Sequence, residues 1–232
     1  MITLRHSNER GHANYGWLDT KHSFSFGDYY DPEHMGVSVL RVINDDQIEP
    51  NSGFDTHGHR DMEILTYVIE GAIEHKDSQG NRQILNAGEF QLMSAGSGIY
   101  HSEYNPSQTQ TLRLLQIWIK PNRFGEQPGY QQKAFGKQSG FTSIVTPEGL
   151  DGTLSIKQDA RLYQLILEPN SNAKIDTDFD RKLYVHHVSG EQLHVNNVLL
   201  HAGDGAQLDA QSDVEFVNKS SEPIVALVFD LP

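Results

Sequence analysis

The chain contains no cysteine, which excludes disulfides and thiolate metal sites such as zinc ribbons and iron–sulfur clusters. Any bound metal must be held by nitrogen and oxygen. Basic residues are scarce: 18 Lys and Arg stand against 31 Asp and Glu, a formal charge of −13. No Lys/Arg run occurs, and neutralising phosphates needs a basic face, so nucleic acid is set aside as a partner. Long apolar runs are missing too; none approaches the roughly 20 residues of a membrane helix, and no membrane partner is expected. The opening segment, Met1 to Arg10, is polar and mixed in charge. It lacks the apolar middle of a secretory signal, which predicts cytoplasmic residence. Capped helical periods are absent, so helices should be few and short.

What the chain does have is strand signal. Val37 to Ile43, Ile64 to Ile69, Phe90 to Met93 and Leu112 to Ile119 are rich in β-branched and aromatic residues, with Gly, Asn, Asp and Pro between them. Asp77-Ser78-Gln79-Gly80-Asn81 predicts a hairpin turn between Ala72–Lys76 and Arg82–Leu85. Many short strands at regular spacing point to a sandwich or barrel. A weak echo follows in the second half. Tyr67 to Gly71 and Asn86 to Phe90 are matched in pattern by Val185 to Gly190 and His201 to Gly205. This degenerate repeat predicts two barrels, joined by the Gly-, Pro- and Gln-rich stretch from Pro121 to Gly140. The second copy has no His-x-His at the corresponding place; Asp176 to Lys182 stands there.

Two short histidine motifs carry the chemistry: His57-Gly58-His59 and His101-Ser102-Glu103. Each sets two metal-capable side chains at i and i+2, positions that share one face of a strand. Adjacent strands would aim three imidazoles and a carboxylate at one point. Such a set suits one divalent transition metal ion. Iron stands first, with manganese, nickel, copper, cobalt and zinc as alternatives that the sequence does not separate. Four protein ligands leave a coordination position open, which favours catalysis over a structural role. Glu63 is a competing carboxylate, but a shell with both acids would leave little room for substrate. Glu103 is preferred as ligand, with Glu63 behind it or structural. Phe24, Phe26, Tyr29 and Tyr30 read as packing for a segment covering the barrel, and Trp118 as a core strand residue. His75 reads as structural, and adjacent His186 and His187 must point to opposite sides.

The spacing of Gly53, His57, His59, Glu63 and Gly71, and of Gly88, Gly96, Gly98, His101 and Asn105, resembles the paired motifs of the cupin superfamily. Glu63 lies one residue farther from Gly71 than the usual pattern. Trp17-Leu18-Asp19, His22 to Phe26, Tyr29 to Pro32, Leu40 to Asp46, Asp61 to Tyr67 and Met93 to Glu103 resemble the N-terminal signature of bacterial pirin-like proteins. The likeness is dense over the first 120 residues or so and general thereafter. Gly58 departs from it, since many members have Pro there.

This resemblance implies an all-β bicupin: two stacked antiparallel barrels of jelly-roll type. Residues 1–135 would form the metal-binding barrel and 136–232 a degenerate one without metal ligands. It implies His57, His59, His101 and Glu103 as the ligands, with Glu103 also catalytic. The implied activity is quercetin 2,3-dioxygenase: ring cleavage of a flavonol-like small molecule by O2, releasing CO and a depside. The alternative is a metal-binding, redox-sensing regulatory protein acting through protein partners. A third reading, a metabolite-binding cupin with isomerase activity, uses the same ligands.

Overall fold

A computed structural model describes Met1–Pro232. It is almost entirely strand, with two three-residue 3-10 turns, Ser7–Glu9 and Leu150–Gly152, and no other helix. The chain divides into two compact units. One is Gly11–Gly136 with Ile156–Gln158; the other is Met1–Arg10, Lys137–Ser155 and Asp159–Pro232. The first ten residues therefore lie with the second unit rather than opening the first. Ile2–Arg5 pairs antiparallel with Gly205–Asp209 and completes that sheet's edge. Ile156–Gln158 folds back to the first unit, where Gln158 Nε2 donates to the Lys120 carbonyl at 2.7 Å. The expected connection is not structureless either: Gly129–Ala134 is a strand paired with Glu89–Ser94.

Each unit contains one seven-stranded and one four-stranded sheet. In the first, the strands of the large sheet run Gly129–Ala134, Glu89–Ser94, Glu63–Glu70, Leu112–Ile119, Leu40–Ile48, Leu18–His22, Gly11–Asn14. The small sheet runs Gly53–His59, Ile99–Tyr104, Ala72–Asp77, Arg82–Asn86. The second unit repeats this order with Asn172–Asp176, Asp213–Asn218, Gln192–Val195 and Val198–His201 as its small sheet.

The two interiors differ. In the second unit one continuous apolar cluster, including Leu165, Val185, Leu193, Phe216 and Val228, fills the space. In the first, two smaller apolar clusters stand apart from each other. Ile48, Val68, Ile73, Leu85, Leu112 and Leu114 form one; Ile64, Met93, Ala95 and Ile99 form the other. Between them the strand alternation presents polar side chains. Asn44, Gln116, Thr66 and Gln91 are direct cross-strand neighbours, a polar row across the large sheet. All four are buried. A strand that keeps its period but carries amides and hydroxyls on its inner face sacrifices core packing at that level.

The small sheet faces this level with its histidines. Gly53–His59 and Ile99–Tyr104 pair with His101 opposite His57, and a bulge between His101 and Glu103 shifts the register so that Glu103 lies opposite Phe54. A bulge re-aims the residues beside it. Gly53 permits the close strand approach next to it, because a Cβ there would collide with the Glu103 carbonyl oxygen and the Tyr104 backbone. Gly53→Ala is expected to destabilise the protein by about 1–3 kcal/mol, as overpacking does. Urea unfolding would show this as a lower midpoint at unchanged m-value; an unmoved midpoint would mean that the strands part freely.

Candidate metal centre

Alternation on two paired strands delivers the expected donors. His57, His59 and His101 each offer a ring nitrogen, all within 4.8 Å of one another. Their ring centroids are separated by 4.4 to 4.9 Å. Glu103 belongs with His75 and His101 to a second group that meets the same 4.8 Å limit. All four expected donors border one cavity of about 220 Å³, whose remaining wall includes Phe26, Phe54, Ile64 and Trp118. His101 and Glu103 are buried, and His57 and His59 are half-buried at the mouth.

The decisive contact is between two nitrogens. Nε2 of His57 and Nε2 of His101 face each other at 3.0 Å. Nδ1 of His57 lies 2.8 Å from the Asp55 carbonyl oxygen. A carbonyl only accepts, so the proton of the neutral ring sits on Nδ1 and Nε2 presents its lone pair to His101. Nδ1 of His101 is buried without a partner. Burial, reinforced by the neighbouring rings, pushes the His101 imidazole down to about 2 and that of His59 to about 4. These rings are built to be neutral donors. Two nitrogens at this spacing subtend roughly a right angle at a metal ~2.1 Å from each, narrower than a tetrahedral site requires. The donor set fits a divalent ion with open positions.

The carboxylate is anchored on one side only. Oε2 of Glu103 accepts from Gln116 Nε2 at 2.8 Å, while Oε1 is buried with no partner. Burial first, and then the Asp46 carboxylate, raise the Glu103 carboxyl to about 7. Gln116 opposes this shift, as do Thr66 and Gln91, which lie close by but outside hydrogen-bond geometry. Asp46, also buried, is raised to about 7 mainly by desolvation, with Asp45 adding to the shift and the nearby Thr20 hydroxyl easing it. An unpaired carboxylate oxygen beside neutral imidazoles is an expensive arrangement unless a cation compensates it.

Other expected residues fall elsewhere. Glu63 is buried but outside the cavity. Its Oε2 accepts from Ser94 Oγ at 2.8 Å and from the Lys157 backbone N–H at 3.3 Å, so it ties a strand to the returning segment. His75 backs the centre. Its Nε2 is 2.9 Å from Asp77 Oδ2, and its ring packs 5.4 Å from that of His101. Trp118 corrects the reading of a core residue, since its ring stands edge-on to His59 at 5.0 Å and to Phe26 at 5.3 Å. Phe26 lines the cavity, Phe24 is buried packing, and Tyr30 is exposed.

The Pirin family profile matches residues 3–119. The chain belongs to the pirin family. A second profile, described as the quercetinase C-terminal cupin domain, matches residues 143–231 of this pirin. A protein named quercetin 2,3-dioxygenase from Escherichia coli strain K12 is 48% identical over 233 residues, covering 100% of this chain and 99% of its own. A pirin-like protein of Caulobacter vibrioides is 44% identical over 210 residues, 89% of this chain and 90% of its own. The crystal structure described as the bacterial pirin YhhW from Escherichia coli in complex with nickel(II) superposes with a TM-score of 0.96. It is 46% identical and covers 100% of this chain and 99% of that one. The fold is thus the two-domain cupin of bacterial pirins.

Sequence reasoning overlooked Asn44, Asp46 and Gln116, which border the same cavity. The available signal was polar side chains at alternate positions in apolar strands: Asn44 and Asp46 between Val42 and Ile48, and Gln116 between Leu114 and Trp118.

Two outcomes follow for the pirin. Glu103→Ala should lose most of the metal taken up, whereas Glu63→Ala should keep a near-normal content by elemental analysis; equal loss in both would refute the assignment. Uptake should also depend on pH with a fixed sign. Below about 7 the Glu103 carboxyl of the metal-free protein holds a proton that a cation must displace. Affinity should therefore fall as the pH drops through that point. His59 and His101 stay neutral throughout that range and add no slope. Competition titrations from pH 5 to pH 9, at roughly unit intervals, would read the curve, and Glu103→Gln should flatten it.

Proposed function

We propose that this chain is a metal-dependent dioxygenase that opens the heterocyclic ring of flavonols such as quercetin with O2, releasing carbon monoxide and a depside. The observation that carries the reading is the facing pair of imidazole nitrogens, 3.0 Å apart, in a cavity whose wall also includes Phe26, Phe54, Ile64 and Trp118. A closed structural site would leave no such approach. The full-length likeness to a protein named quercetin 2,3-dioxygenase supports the substrate class.

In this reading His57, His59, His101 and Glu103 hold one divalent ion. Iron is our first expectation among the ions the donor set suits, and the nickel in the bacterial relative argues for testing nickel beside it. When bound, the ion supplies Lewis acidity that lowers the pKa of the flavonol 3-hydroxyl. The chain's own residues do the rest. Gln116 pins Oε2 of Glu103, so Oε1 is the oxygen that would hold the ion and that, on shifting, takes the proton of that hydroxyl as general base. Phe26, Phe54, Ile64 and Trp118 present flat or branched apolar surface that orients a planar ring system and excludes water.

Incubation with quercetin in air should consume O2, bleach the flavonol absorbance and release carbon monoxide, with none of these under argon. Glu103→Ala should abolish the turnover. Metal-loaded protein that leaves quercetin and oxygen untouched would overturn the enzymatic reading and favour a regulatory, metal-sensing role.

A further inference from the structure

The metal cavity alone, at about 220 Å³, is smaller than the roughly 300 Å³ at which pockets for drug-sized ligands begin. A second cavity of about 390 Å³ adjoins it within the same folded unit. The two share four wall residues: Phe26, Phe54, Asn44 and Asp46. Beyond that wall the second cavity is bordered by Ala13, Thr20, His22 and Tyr29, none of which reaches the first.

The shared wall has two chemical characters. Phe26 is fixed by a two-residue hairpin in which Phe26 and Tyr29 exchange both backbone hydrogen bonds at 3.0 Å. Gly27, at φ 55°, takes the left-handed position that such a turn favours for glycine. Its ring is propped against Trp118 on one side and His22 on the other, at 5.3 and 5.5 Å. With Phe54 it forms the aromatic part of the wall that the two cavities share, a surface suited to contact with a flat ligand. The polar part is unusual. Asp46 and Thr20 are direct cross-strand neighbours, each only 3% exposed. Oδ1 of Asp46 and Oγ1 of Thr20 nevertheless lie outside hydrogen-bond geometry with any partner, although the two side chains are close to each other. Buried polar atoms left unpaired are costly, so their presence at a cavity wall marks a place where something else completes them. A phenolic hydroxyl does so for both, donating to the carboxylate and accepting from the threonine.

We infer that the second cavity, read by Asp46 and Thr20, is the subsite for a hydroxylated aryl substituent of the substrate. The enolone part occupies the metal cavity, and the linkage between them passes Phe26 and Phe54. The inference rests on the flavonol reading and narrows it to two-part ligands, a fused enolone bearing a hydroxyaryl ring.

Anaerobic calorimetric titration of nickel(II)-loaded protein with three probes tests it. They are quercetin; galangin, which lacks quercetin's hydroxyls on the pendant ring; and 3-hydroxychromone, which lacks the pendant ring altogether. Ala13→Trp, which narrows only the second cavity, should raise the Kd for both quercetin and galangin by about tenfold or more, and leave 3-hydroxychromone within about twofold. Thr20→Val, which keeps the shape and removes the hydroxyl, should weaken quercetin about fivefold and leave galangin unchanged. If Ala13→Trp weakens all three probes alike, or Thr20→Val fails to separate quercetin from galangin, the second-cavity assignment is overturned while the flavonol reading stands. If the parent protein binds none of the three, the flavonol reading fails and this inference with it.

Discussion

Three imidazole nitrogens, from His57, His59 and His101, gathered within 4.8 Å of one another are the constraint around which the first unit is built. Hydrophobic burial supplies the barrel, but barrels fill with branched side chains by default, as the second unit does. To gather the ring nitrogens of His57, His59 and His101, with Glu103 close to His101, the first unit keeps two apolar clusters apart and places a polar level between them. The Gln116 amide of that level anchors the acid. The bulge after His101 then sets it beside the rings. A compensating cation makes the arrangement inexpensive; without one, Glu103 holds its proton up to neutrality.

Two copies of one strand order, one with an unbroken apolar interior and one interrupted, show how little of a fold is spent on its chemistry. The small sheet of the second unit carries Asn172–Asp176 where the first carries Gly53–His59. Substituting a handful of inner-face residues separates a packed barrel from a hollow one.

Much of the site was legible in the sequence because a strand's period of two turns His-x-His and His-x-Glu into a directional statement. The hairpin at Asp77 to Asn81 was legible for a similar reason, since turn residues state their own geometry. What escaped depended on register between strands distant in sequence. Nothing local reveals that Gln116 lies beside Asn44 on one side and Thr66 on the other. Trp118 reads as core because its alternation is that of a core residue; only its neighbours Phe26 and His59, each from another strand or turn, turn it into cavity wall. The placement of Met1–Arg10 was hidden likewise, because an edge strand is defined by the partner it finds, here Gly205–Asp209. The stretch after Pro121 looked like linker from its Gly, Pro and Gln content, yet a polar sequence serves well on a sheet edge.

The central claim is that three imidazoles and one carboxylate of the first unit hold a single ion with room for a further ligand. X-ray absorption at the metal edge of protein loaded with one equivalent of nickel or iron addresses it directly, with His101→Ala and Glu103→Ala variants as references. The account predicts one ion per chain, about three imidazole scatterers, one carboxylate oxygen and at least one exchangeable water. A spectrum without multiple imidazole scattering, or one unchanged in either variant, would contradict it.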